Sequence, residues 1–196
     1  TGYVYLGGHL NAGSGDVVLT GANIGVPTSI RNITTTGKIT IQPDADESSF
    51  ASALSTQYLN FGTTATGLTI GKDTGTTAHT DTVTIGSNAT IAGPIKVYAG
   101  NLNIGAGLSS TGASSAISLF TTTNINTTAS GLTVQTAGGN ILFNSNVTGA
   151  GGSVDLDRMT VLSNGGNITL GGGLNGTDYA VGTATSSMPT YVGQLK

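Results

Sequence analysis

The dominant pattern along the chain is a short apolar-x-apolar pair introduced by Gly or a small polar residue. The pairs are Val17/Leu19, Ile39/Ile41, Leu68/Ile70, Ile95/Val97, Ile117/Leu119, Ile141/Phe143 and Ile168/Leu170. Successive first members lie 22, 29, 27, 22, 24 and 27 positions apart, inside the range that marks solenoids and arrays. A second series, Val83/Ile85, Leu132/Val134, Val154/Leu156 and Val181, follows the first by about 13 to 15 positions. The tetrapeptide Gly-Gly-Asn-Ile appears twice, at Gly138 to Ile141 and at Gly165 to Ile168. Apolar–polar alternation over four to six residues predicts half-buried strands, and the Gly, Asn and Ser-Gly punctuation predicts turns. Helical i, i+3, i+4 spacing is almost absent.

A strand of three to five residues cannot bury its apolar side alone. Stacking equivalent strands from successive turns at about 4.8 Å builds a continuous interior ladder of Ile, Val and Leu. The predicted fold is therefore all-β, a parallel β-helix of about seven to eight coils in one unit over residues 1–196, roughly 35 to 40 Å long. The apolar pairs named above form its core ladder. Gly supplies positive φ at corners, Thr tolerates exposed strand positions, and Asn140 with Asn167 is the expected stacked amide pair. A β-sandwich is the competing architecture, because it also uses short strands with frequent turns.

Residues 42–66 break the pattern. Pro43, Asp44, Asp46 and Glu47 precede Phe50, Ala53, Leu54, Tyr58 and Phe61, which recur at helical spacing with Asp46 or Ser48 as a cap. We expect an inserted loop, short helix or side hairpin that covers one side or end of the coil.

Composition narrows the chemistry. Of 196 residues, 32 are Gly, 8% are charged and 5% aromatic, with no Trp and no Cys. The missing Cys excludes disulfides, Cys-type zinc sites and thiol nucleophiles. A net charge of -3 with only six basic residues gives no electrostatic footprint for nucleic acid. No apolar run is long enough for a membrane-spanning helix. Gly2 to Leu6 already read as a strand rather than a targeting segment, so the chain is expected to be a segment of something longer.

The strings Gly37-Lys-Ile-Thr-Ile-Gln-Pro43, Gly67-Leu-Thr-Ile-Gly-Lys72, Ala92 to Ile104 and Gly165 to Gly173 resemble the repeat regions of giant secreted bacterial surface proteins, the filamentous-haemagglutinin-like adhesins with Gly- and Thr-rich β-solenoid stalks. The resemblance covers most of the chain, and its motifs are specific to architecture rather than activity. It implies a right-handed coil outside the cell, serving as a stalk or adhesive fibre and exported through a dedicated outer-membrane secretion system. The stretch from Gly165 through Tyr179 and Val192 reads as a lead-in to a motif continued by Tyr3 to Gly8 and Asn11 to Leu19. Tandem repetition or association with further copies of the chain follows, since an uncapped solenoid end favours stacking.

Candidate chemistry is sparse. Asp155 and Asp157 sit two apart on an expected strand, hence on one outward face, with Arg158 next. Polysaccharide cleavage would need a further acid from a neighbouring coil, and the expected neighbours, Asn140 to Asn144 or Asn167 to Leu170, offer none. Asp44, Asp46 and Glu47 could ligate Ca²⁺, although their spacing matches no calcium loop. His9 and His79 are the only histidines; both are expected at the surface. The Gly171 to Gly173 run lacks the strand–helix context of a phosphate cradle. Asn-x-Thr triplets begin at Asn32, Asn88, Asn126, Asn146, Asn167 and Asn175 and matter only in a glycosylating host. Ice binding would need one Thr slot repeated on every turn, whereas the expected outward slots read Thr40, Lys96, Ser118, Leu142, Asp155 and Thr169. The expectation is a non-enzymatic, cofactor-free adhesive segment with a cell-surface glycan or protein receptor. A polysaccharide-binding or polysaccharide-cleaving β-helix and an ice-binding solenoid are the alternatives.

Overall fold

The structure is a computed structural model that describes residues 2–25, 28–149, 151–175 and 180–182. Every described element is a short strand, and three consecutive strands make one turn of a coil. The first two coils are β1 (Tyr3–Tyr5), β2 (Leu10–Asn11) and β3 (Val17–Thr20), then β4 (Asn23–Gly25), β5 (Arg31–Thr34) and β6 (Lys38–Gln42). Next come β7 (Leu54–Ser55), β8 (Leu59–Phe61) and β9 (Gly67–Ile70), then β10 (Thr82–Ile85), β11 (Ala89–Ile91) and β12 (Ile95–Ala99). The fifth and sixth coils hold β13 (Asn101–Ile104), β14 (Leu108–Ala113), β15 (Ile117–Thr121), β16 (Ile125–Thr127), β17 (Leu132–Ala137) and β18 (Ile141–Asn144). The seventh is β19 (Ser153–Asp155), β20 (Met159–Leu162) and β21 (Ile168–Gly171), and β22 (Gly173–Asn175) with β23 (Ala180–Gly182) begins another.

Every pairing is parallel and joins a strand to one three places on, with the ladders of the second and third faces broken between β4 and β7 and between β8 and β11, so the chain is a three-faced parallel β-solenoid of about seven turns. The first face is a seven-stranded sheet from β3 to β21. In it Val17, Ile39, Leu68, Ile95, Ile117, Ile141 and Ile168 are successive register partners, as are Leu19, Ile41, Ile70, Val97, Leu119, Phe143 and Leu170. From Ile39 to Phe143 these side chains are essentially enclosed, whereas Leu19, Ile168 and Leu170 at the two ends are half-buried. Each enclosed aliphatic contributes about 1.5–3 kcal/mol. The second face stacks Leu54, Val83, Leu102, Ile125 and Val154 in one column. The third stacks Leu10, Ile33 and Phe61, then Ala89, Leu108, Val134 and Val161. The second apolar series in the sequence is thus two ladders: Val83 and Val154 belong to the second face, Leu132, Val134 and Val181 to the third.

The Gly-Gly-Asn-Ile repeat is one corner used twice. Gly138 and Gly165 turn it with φ of 90° and 115°, and a Cβ on Gly166 would land on the Gly139 carbonyl of the coil before. Asn140 Oδ1 accepts the Asn167 amide N–H at 2.9 Å, a side-chain-to-backbone bond in place of the expected amide stack. Amide-to-amide bonds occur elsewhere, from Asn60 Nδ2 to Asn32 Oδ1 and from Asn126 Nδ2 to Asn103 Oδ1.

Of the loop, short helix or side hairpin expected within residues 42–66, the structure has a loop and no helix. Residues 43–53 are an irregular loop, and Leu54–Ser55 and Leu59–Phe61 are ordinary strands of the third coil. β7 pairs with β10 and β8 with β5, and Phe50, Leu54, Leu59 and Phe61 join the core from strand and loop geometry. Tertiary stacking overrides a weak helical spacing. Tyr179 and Val192 of the expected lead-in lie outside the described residues.

Candidate functional site

The corner between the first and second faces differs from the other two. It is crossed by Gly100 alone between β12 and β13, and by residues 122–124 between β15 and β16. In three other coils it carries long excursions: residues 43–53, residues 71–81, and the segment between Asn144 and Ser153. All three therefore project from one edge of the rod, and two of them flank the pair of short corners. The coils that contain them are the three with repeat spacings of 29, 27 and 27, against 22, 22 and 24 elsewhere.

A buried carboxylate ties the first two excursions together. Asp81, 5% exposed, accepts the Gly100 N–H at 3.0 Å on one oxygen and the Phe50 N–H at 3.3 Å on the other. Ser49 Oγ accepts the Thr80 N–H at 2.9 Å. Gly71, with φ of 82°, starts the second excursion where any Cβ would collide with the Tyr98 carbonyl. Only glycine combines that conformation with that approach.

The excursion then folds over an aromatic stack. Tyr98 and Phe120, register partners on β12 and β15, lie with centroids 5.1 Å apart and planes 8° from parallel. His79 continues the stack at 6.5 Å and 32° from Tyr98. The next two register positions after Phe120 hold Asn144 and Gly171, so the column of rings stops at Phe120. Asp73, Gly75, His79, Tyr98, Phe120, Asn144 and Val147 line an open groove of about 250 Å³. Both of its walls are anchored at the end of β15 and the short corner after it: the His79 N–H donates to Thr122 Oγ1 at 2.7 Å, and the Val147 N–H to the Thr121 carbonyl at 3.4 Å.

Two groups in the groove have distinctive electrostatics. The Tyr98 hydroxyl donates to Asp73 Oδ2 at 3.3 Å. Burial, the adjacent Asp73 charge and this hydrogen bond push the phenol up to about 12, because all three disfavour phenolate. The Thr74 hydroxyl donates to the Thr77 carbonyl at 2.9 Å, so the 3.0 Å contact between Thr74 Oγ1 and His79 Nε2 uses the ring N–H. His79 Nδ1 is enclosed and without a hydrogen-bond partner. His79 is 5% exposed, not a surface residue as expected; the excursion buries it against Tyr98. His9 is exposed, and its Nδ1 accepts the Asn32 N–H at 2.9 Å.

The remaining expected site residues lie elsewhere. Asp155 ends β19, and its Oδ1 accepts the Asp157 N–H at 2.9 Å, so Asp157 sits in a turn and the two carboxylates do not share a strand face. The register puts Asp155 beside Asn126 and Asn175 on the second face, not beside Asn140 to Asn144 or Asn167 to Leu170. Asp44 Oδ2 accepts the Gly2 N–H at 3.0 Å, while Asp46 and Glu47 are exposed. Among the described residues no three His, Cys, Asp or Glu side chains group as metal ligands, and no helix is long and apolar enough to cross a membrane. The central outward column of the first face reads Val18, Thr40, Thr69, Lys96, Ser118, Leu142 and Thr169. Asp155 is absent from it, and Lys96 and Leu142 interrupt its hydroxyls.

Asp73, Phe120 and Val147 were not singled out from the sequence, Asn144 was named only as the end of a stretch expected beside Asp155, and Tyr98 was quoted only within a repeat string. The signal for the groove was the alternation of long and short repeat spacings. Neither a protein-family model, nor a curated protein, nor a solved structure matches this chain.

Proposed function

We propose that this chain is a stiff, non-enzymatic segment of an extracellular bacterial surface fibre that attaches one cell to another surface. The observation that carries the reading is the collection of all three long excursions on one edge of an otherwise uniform rod. A purely mechanical spacer needs only short corners, whereas loops gathered on one side of a repeat array form its contact surface. Stiffness follows from the continuous seven-stranded ladder of the first face and the enclosed aliphatic columns. Attachment then arises from many such segments displayed together, where avidity multiplies weak single contacts. The resemblance of the repeat strings to filamentous-haemagglutinin-like stalks supports the extracellular setting.

The test uses beads densely coated with the chain and applied to bacterial and host-cell surfaces under flow. The comparison is a variant lacking residues 72–80, which leaves Gly71–Asp81 as a corner about as short as residues 122–124. Retention of wild-type beads and loss of retention for the variant is the expected result. Equal retention of both, or none for either, refutes the reading. Mass photometry of the same preparation measures association between copies, the partner expected from the repeat pattern.

A further inference from the structure

We propose that the groove between the Asp73–His79 excursion and the Asn144–Val147 segment is a saccharide-binding site that takes one uncharged pyranose ring against Phe120. The inference deepens the adhesive reading by naming a ligand class, and rests on that reading only for where the sugar is found.

Three observations converge. First, the aromatic column ends at Phe120. Tyr98 covers one face of that ring, and the position beyond its other face belongs to Asn144 and then Gly171, which has no side chain. Phe120 is half-buried and lines the groove. Aromatic faces carry negative charge density, and the axial C–H groups on one face of a pyranose supply the matching weakly positive surface. Second, the polar lining suits hydroxyl groups. Asp73 holds Tyr98 with one oxygen and the Gly75 N–H with the other at 3.0 Å, which fixes the carboxylate and leaves further acceptor lone pairs. Asn144 Oδ1 accepts the Asn146 N–H at 3.0 Å, which orients its Nδ2 donor.

Third, the charge selects among sugars. Among the described residues Asp73 is the only charged side chain in the lining, and the neighbouring Lys72 directs its ammonium to the Ala45 carbonyl. A uronic or sialic acid would bring a second negative charge beside Asp73 without a cation to offset it.

Saturation-transfer NMR on the whole chain tests this with glucose, galactose, mannose and N-acetylglucosamine, and with glucuronic acid as the charged control. At least one neutral sugar should bind, with a dissociation constant of roughly millimolar order, through the C–H face of its ring, and glucuronic acid should not. Phe120→Ala should weaken binding about tenfold. Asn144→Tyr, which continues the ring column into the groove, should abolish it. Circular dichroism establishes that each variant keeps its β signal, and a variant that loses it is replaced in the comparison by the other. No neutral sugar binding, binding unchanged in the folded variants, or equal binding of glucuronic acid overturns the proposal. Sugar binding by a chain whose beads do not adhere would refute the adhesive reading and leave this site standing.

Discussion

Tyr98 shows how one residue reports the state of the groove. Its phenol is held up to about 12 by burial and by Asp73, against an ordinary 10.0. In the unfolded chain the phenol ionises near 10.0, whereas in the fold it stays protonated until about 12. Between those values the unfolded state binds fewer protons, so stability falls as pH rises. The contribution is fully present below pH 10 and drains away across that window. Ultraviolet titration of phenolate should show one tyrosine ionising at about 12, and Asp73→Asn should lower that midpoint toward 10.0. A midpoint unmoved by Asp73→Asn would mean that Asp73 does not face the phenol. The Asp73 carboxylate and the aromatic stack carry no motif in the sequence. Tyr98 and Phe120 fall 22 positions apart in different repeats, and only the coil-to-coil register brings the rings together.

At the scale of elements, the excursions are held by backbone-directed side chains rather than by apolar burial alone. Asp81 joins the 43–53 loop, its own excursion and the Gly100 corner through two N–H groups. Asp81→Ala leaves both donors unpaired in a buried site, at a cost of roughly 1–3 kcal/mol for each charged hydrogen bond. Hydrogen exchange should quicken at Phe50 and Gly100 in that variant, with denaturant stability lowered, while the distant Gly138 corner stays protected. Uniform loosening of the whole chain would contradict a local role. The sequence marked only 42–66 as irregular, because Pro43 and the clustered carboxylates stand out from the Gly and Thr background. Apart from Lys72, Ala78 and His79 the 71–81 excursion is composed of Gly, Thr and Asp, like the ordinary corners, and so left a trace only in the repeat length.

For the whole molecule, the repeating register makes the coil a removable unit. Ile95 and Ile117 are register partners, and Leu68 precedes Ile95 in the same column. Deleting residues 95–116 therefore brings Leu68 directly beside Ile117 and Val83 beside Ile125 with every column preserved. That shortened chain should fold with the same β signal and a lower unfolding midpoint, because nearest-neighbour interfaces add along a solenoid. Deleting half as many residues from the same point should prevent folding, since strands of the first face would then meet the wrong columns. A folded half-coil deletion would contradict the stacking register. The one-coil deletion also removes Tyr98, so it should lose the tyrosine that titrates near 12.

The residues alone determined the architecture. Paired aliphatics recurring at 22 to 29 positions, with Gly and Asn between them, have few ways to bury one side of so short a strand, and stacking equivalent turns is the way that repeats. Tertiary structure alone decided which residues share a surface. Three excursions of different composition meet on one edge because they all leave the same corner of the coil. A buried histidine, two stacked rings and a carboxylate become neighbours because parallel stacking places side chains from separate turns within a few ångströms. Local pattern governs how a strand pairs; the register between coils, set by the whole stack, governs what each outward side chain faces.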